Sequence, residues 1–350
     1  ILSGDLRGTY YPLAQTHLPG ISIYPPGASL FFMLFPTGSL DLYQWSFVTI
    51  NCLFLLIIAR LTKRPNMLAL IILAAGPILL FRFDLLVMLL VVLSIVTFRR
   101  NNFWLSGMFL GFATITKLFP VILIPYFLLV LFFNNRQKII PWFLAYFVSI
   151  VSIFVFYVLF TGFDWLDVVL RSGGAFGVSV HVESVIATVL TLVTAITNPG
   201  SHGLEFKEAL WALNPLYFLG HARIFKLISP VIITLVYGFI LFQKKTFAIT
   251  KCLLIILTLL ITSQLLSPQY VIWPAMLILL EEKINKINII LLLLALVLTQ
   301  IIYPLNYGEF LDFYNKGINL HLFLIMTARN LILVILTMRL LVQVWCTHRL

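Results

Sequence analysis

The stretch TKLFPVILIPYFLLVLFFNNRQK, residues 116–138, decides the fold class. Between Lys117 at one end and Arg136 and Lys138 at the other, residues 118–133 carry no charge. A helix needs about 20 mostly apolar residues to cross the hydrocarbon core, with a lower bound of roughly 17. Runs that reach or approach this length recur along the chain, as in INIILLLLALVLTQIIY at 287–303. The composition is 61% apolar and 10% charged, with a mean hydropathy of +1.07, which excludes a soluble globular class. No polar/apolar alternation marks a β-barrel, so the backbone must be satisfied within helices. The expected fold is all-α, a polytopic integral membrane protein.

Working outward, the candidate crossings are 45–60, 66–81, 84–98, 103–116, 118–133, 139–160, 224–242, 252–266, 270–281, 287–303 and 321–342. Alternate turns differ in charge. Arg60, Lys63, Arg64, Arg99, Arg100, Arg136, Lys138, Lys244, Lys245, Lys251, Lys283 and Lys286 occupy one set, which the positive-inside rule makes cytoplasmic. Ten of the twelve acids occupy the other, leaving Glu281 and Glu282 inside. The same rule keeps the run 27–36 on the outer face and makes 182–197 a re-entrant or surface helix. The layout is one membrane domain, 1–350, with a first outer loop at 1–44 and a large outer region at 161–223. The chain opens on Ile1 in a polar stretch, and we expect the natural N-terminus and one earlier helix to be missing. A net charge of +11 would suggest nucleic acid in a soluble protein; here the bases lie in short turns and set topology instead. Cys52, Cys252 and Cys346 suggest neither a disulfide framework nor a metal site.

The outer face gathers the candidate chemistry. Asp5 precedes Tyr10 and Tyr11, and a carboxylate roofed by aromatic rings is a candidate general base; an ordinary capping Asp is the plain alternative. Pro25 holds Tyr24 extended, and Pro26 suits a first helical turn. Arg82 and Asp84 share a turn so short that both lie near the apolar slab, where ionisable groups are paired or functional. Lys117 opposes the positive-inside bias and so should answer a negative charge, either a phosphate or an outer Asp. Gln269 and Tyr270, in SQLLSPQYVIWP, suit sugar hydroxyls, or serve equally as part of a Pro-initiated helix start. His181 and Glu183 read as loop residues. Phosphate-loop, dinucleotide and serine-esterase motifs are absent.

Five segments together resemble a known group: GDLRGTYYPLA at 4–14, YPPGASLFF at 24–32, RFDLL at 82–86, TKLFPVILIP at 116–125 and SPQYVIWP at 267–274. Their order is similar to that of polyprenol-phosphate-sugar-dependent membrane glycosyltransferases of the GT-C type, especially family 87, which includes mannosyltransferases. The resemblance implies an inverting transfer of a hexose, such as mannose, from a polyprenyl-phosphate donor to a lipid or cell-envelope glycan. The site would face outward from a multi-pass cell-membrane protein. Asp5 would be the general base, Arg82 and Lys117 would answer the leaving phosphate, and Asp84 would orient Arg82 or a sugar hydroxyl. Tyr11, Tyr24, Gln269 and Tyr270 would complete the substrate site. No cofactor is called for, because the donor arrives lipid-linked and Lys and Arg can neutralise one phosphate. The chain departs from the mannosyltransferases at Gln269 and Tyr270, where they commonly carry a His-containing stretch. The competing classes are a transporter or flippase of lipid-linked or anionic solutes, and a non-catalytic scaffold; ionisable groups at the outer face, away from mid-bilayer, weigh against transport.

Overall fold

The computed structural model of the protein describes residues 24–162, 180–197, 204–207, 210–213, 222–243, 247–281, 285–316 and 319–349. In chain order the helices are α1 (Pro26–Met33), α2 (Leu40–Thr62), α3 (Pro65–Ala75), α4 (Ile78–Phe81), α5 (Asp84–Arg99), α6 (Phe103–Thr116), α7 (Ile124–Asn134), α8 (Ile139–Thr161), α9 (Val185–Thr197), α10 (Ala222–Leu241), α11 (Ile249–Thr262), α12 (Ile272–Ile278), α13 (Lys286–Gln300), α14 (Tyr307–Lys316) and α15 (Leu320–Arg349). Short 3-10 turns at Phe119–Leu123 and Pro268–Val271 lead into α7 and α12. An antiparallel hairpin, β1 (Leu204–Lys207) with β2 (Leu210–Leu213), falls inside the expected outer region and was not anticipated from the sequence.

The eleven apolar runs are all helical in the main. Among the described residues, four helical stretches are both long and apolar enough to cross a membrane: Leu40–Thr62, Arg136–Thr161, Lys286–Leu305 and Leu320–Cys346. The chain is a helical membrane protein. The run 66–81 is split where Gly76 takes a left-handed φ of +56° and Pro77 opens α4. Helix α1 has only eight residues, a rise of about 12 Å that falls far short of a span.

Contacts sort the chain into two compact units. The described residues of the first are 24–68, 77–162 and Phe247. Its centre is the α5–α6 hairpin, turned by Arg100, Asn101 and Asn102. Asn101 supplies a left-handed φ of 59°, and the Asn102 side chain accepts from the Leu105 N–H at 3.2 Å as an N-cap. Two helices of similar length on so short a turn run antiparallel, which returns the end of α6 to the start of α5. On the opposite side, Gly107 and Gly111 let α8 approach α6 closely; a Cβ there would collide with the Trp142 and Tyr146 carbonyl oxygens. Small residues four apart are how apolar helices gain contact when lipid supplies no hydrophobic drive. Trp142 Nε1 donates to Ser106 Oγ at 3.1 Å and Ser94 Oγ to the Ser106 carbonyl at 2.8 Å, which ties α5, α6 and α8 through polar groups.

The second unit holds residues 69–76, those described between 180 and 243, and those from 248 onward. Helices α11 and α12 are buried along most of their length. An apolar cluster joins Val180 and Val182, ahead of α9, to Phe310 on α14 and to Phe323 and Met326 on α15.

Candidate active site

The hairpin geometry of the first unit brings two residues 33 apart in sequence into contact: Lys117 Nζ donates to Asp84 Oδ1 at 2.7 Å. Asp84 is the first residue of α5, and Lys117 caps the end of α6. Each therefore meets the helix-terminal partial charge of opposite sign. At Lys117 the backbone turns extended (φ −154°, ψ 129°) while its N–H still bonds the Ala113 carbonyl at 2.9 Å, so the helix stops and the side chain leaves it sideways. Asp84 is fully buried and the Lys117 side chain is 14% exposed. The ammonium also lies 4.9 Å from the centroid of the Phe83 ring, within cation–π range. Arg82 is close enough for its like charge to act on Lys117. Among the described residues the cluster therefore brings together two cations and one anion.

Three further contacts hold the cluster's shape. Asn51, wholly buried on α2, donates to the Leu80 carbonyl at 2.8 Å and the Arg82 carbonyl at 3.3 Å, which satisfies helix-end acceptors where the chain breaks between α4 and α5. Tyr24 packs edge-on against Phe83 (5.3 Å) and Phe32 (5.5 Å), so the YPPG segment covers the same ring that Lys117 touches. Gly27 allows α1 to lie on the end of α6; a Cβ there would sit 2.7 Å from Thr116 Oγ1 and 2.9 Å from its Cα.

Tyr24, Arg82, Asp84 and Lys117 are thus brought together. Gln269 and Tyr270 belong to the second unit, while Asp5 and Tyr11 lie outside the described residues. Pro268 opens a 3-10 turn, and Tyr270 stacks on Trp273 with centroids 4.3 Å apart. Gln269 is buried, and its Oε1 has no hydrogen-bond partner among the described residues.

A second charged cluster escaped the sequence reading. Arg329, wholly buried on α15, donates through Nη1 to Glu183 Oε2 at 3.4 Å and through Nη2 to the Glu183 carbonyl. Its Nε and Nη2 also donate to Asn330 Oδ1, at 3.1 and 2.8 Å. Asn330 in turn donates to Thr188 Oγ1 at 2.6 Å and to the Ser184 carbonyl at 3.3 Å. Beside them, His181 Nδ1 lies 2.8 Å from the Leu266 carbonyl. A carbonyl only accepts, so Nδ1 carries the proton. Burial pushes the imidazole down to about 4, with the Leu266 bond opposing the shift and the Arg329 charge adding to it. The signal for Arg329 was a cation in the middle of an apolar run; nothing in the sequence pairs it with a residue 146 positions away.

The model of glycosyltransferase family 87 matches residues 23–268. The match takes in YPPG, RFD and TK and ends at Pro268, before Gln269 and Tyr270. No curated protein and no solved structure matches the chain. With well over half of its length matched, the chain belongs to glycosyltransferase family 87 and is a glycosyltransferase built from membrane helices.

Proposed function

We propose that the protein moves a sugar, a hexose such as mannose, from a polyprenyl-phosphate donor to a lipid or cell-envelope glycan acceptor, with inversion, on the extracytoplasmic face of the cell membrane. The observation that carries this reading is the Lys117–Asp84 pair beside Arg82, two cations gathered around a buried carboxylate in a family 87 chain. Lysine and arginine side chains are natural partners for the phosphate of a lipid phosphodiester. In the reaction the Asp5 carboxylate takes the proton from the acceptor hydroxyl as its oxygen attacks the anomeric carbon. The bond from that carbon to the phosphate oxygen breaks, and its electron pair leaves with the phosphate. Charge then grows on the leaving oxygen, where preorganised cations are most effective. Lys117 and Arg82 answer it, Asp84 fixes the Lys117 ammonium, Tyr11 and Tyr24 roof the site, and Gln269 and Tyr270 meet sugar hydroxyls. This needs one membrane domain of eleven crossings that puts Asp5, Asp84 and Lys117 on the outer side.

The test supplies purified protein with radiolabelled polyprenyl-phosphate sugars and a membrane-lipid extract. Transfer by the wild type and its loss in Asp5→Asn is the expected result. Equal product from both removes Asp5 as the base, and no product with any such donor overturns the donor class.

A further inference from the structure

We infer that His181 is a positioning residue for the turn Ser267–Tyr270, clamped in place by the buried Arg329–Glu183 pair. The inference rests on the reading above in one respect, that this turn meets the sugar. Between the end of α11 and the 3-10 turn at Pro268, the chain has no helical ladder, so its backbone groups need partners from elsewhere. His181 supplies two of them. Its N–H donates to the Gln264 carbonyl at 2.9 Å and its ring Nδ1–H to the Leu266 carbonyl at 2.8 Å. Leu265, between those two, is held by Ser263, whose Oγ accepts from its N–H at 3.1 Å and donates to its carbonyl at 2.9 Å. The strand of chain entering Ser267 is therefore tied at each residue.

His181 is itself immobilised. Its carbonyl accepts from the Ser184 N–H at 3.0 Å, and the next turn is gripped by Arg329 and Asn330 at the Glu183 and Ser184 carbonyls. His181, Glu183, Arg329 and Asn330 are each no more than 3% exposed. Depressed by burial, the ring stays neutral at ordinary pH and keeps one tautomer, so its donor is constant. At the far end of the tied segment, the buried Gln269 Oε1 has no donor among the described residues, an arrangement that suits a sugar hydroxyl. A displacement of about 1 Å in such a group can cost on the order of a hundredfold in rate.

The experiment uses the full chain in lipid nanodiscs with a radiolabelled polyprenyl-phosphate sugar, comparing His181→Phe with His181→Asn. Phenylalanine keeps the ring without the donor, while the Asn amide N–H can occupy the place of Nδ1–H. The expected result is a donor KM raised about tenfold or more in His181→Phe with a smaller change in kcat, and values within about threefold of wild type in His181→Asn. If the phenylalanine variant does not fold, His181→Gln makes the same comparison, because its amide reaches the Nε2 position instead. A second readout needs no activity: Ser267→Cys, in a chain whose Cys52, Cys252 and Cys346 are alanine, is labelled with a maleimide. Labelling about tenfold faster in the His181→Phe background than in the His181→Asn background is expected. Wild-type KM and labelling in His181→Phe would overturn the inference, as would an Asn variant as impaired as the Phe one. Labelling in the expected order with no transfer from any donor would overturn the sugar assignment and leave the clamp standing.

Discussion

The first unit pairs a lysine with an aspartate at 2.7 Å and leaves the lysine side chain 14% exposed; the second pairs an arginine with a glutamate at 3.4 Å and leaves neither above 1%. The longer pair is the more deeply buried. Arg329 reaches a carboxylate, a main-chain carbonyl and an amide oxygen, and its neighbour Asn330 extends the network to Thr188. Lys117 has an aspartate, an aromatic face and a second cation close by. A sealed pair holds elements together, whereas a pair with a second cation beside it and an open edge can exchange partners with an incoming anion. Buried charge holds the second unit together, and under the proposed function it does chemistry in the first.

The largest effect should come from Arg329→Met. It leaves Glu183 buried without its cation, a loss of about 3–5 kcal/mol for a broken buried pair. Thermal unfolding in detergent should show it, and Arg329→Met with Glu183→Gln should recover more than half of the lost stability. A single variant as stable as the wild type would mean that the sealed pair holds nothing.

Lys117→Gln should act on the other side of the comparison. Transfer should fall about 100- to 1,000-fold in kcat, the range for losing one preorganised group that answers developing charge. The double variant Asp84→Asn with Lys117→Gln removes both charges, so it should fold as well as the wild type and remain inactive. Activity in that double variant would make the first pair structural too, and the distinction would collapse.

Gly27→Ala is a smaller probe of the same site. The added methyl meets the Thr116 backbone and hydroxyl at 2.7–2.9 Å, one residue before Lys117. Overpacking of this kind costs about 1–3 kcal/mol. Because the strain is delivered next to the ammonium, transfer should drop about tenfold. Unfolding and activity measured together should show activity falling further than stability alone explains.

Much of the first unit could be read from the chain because its decisive contacts are local in pattern. Apolar runs bounded by charges mark the helices, prolines mark their starts at Pro26, Pro77 and Pro120, and a short turn makes α5 and α6 antiparallel. The misplaced cation at Lys117 asked for a negative charge, either a phosphate or an outer Asp, and in the folded chain its ammonium meets Asp84. Asn51 was not visible in this way, since a lone Asn in an apolar run says nothing about which carbonyls it serves. The second unit was harder because its contacts are long-range. His181 meets Leu266 across 85 residues and Glu183 meets Arg329 across 146, with no periodicity linking them. His181 and Glu183, which read singly as loop residues, join Arg329 in one network only once the helices are packed. The hairpin at 204–213 is likewise set by register between two four-residue strands, too short to leave a pattern.

The smallest predicted effect tests the second unit through its titration. The folded chain holds His181 near 4, against an ordinary value of 6.5, with Arg329 repelling a proton there and the Leu266 bond favouring one. Over that interval the unfolded chain binds the proton and the folded chain does not, so stability must decrease as pH decreases. The contribution is fully present above 6.5, declines as pH is lowered towards 4, and levels off below. Between pH 6.5 and 5.5 the loss should be about 1 kcal/mol. Carboxylates elsewhere titrate in both proteins, so the difference between wild type and His181→Asn isolates this group. Unfolding midpoints taken across that window should fall more steeply for the wild type. Parallel curves would mean that the imidazole is not sealed in the folded state, and the second unit would then lose its contrast with the open pair at Lys117.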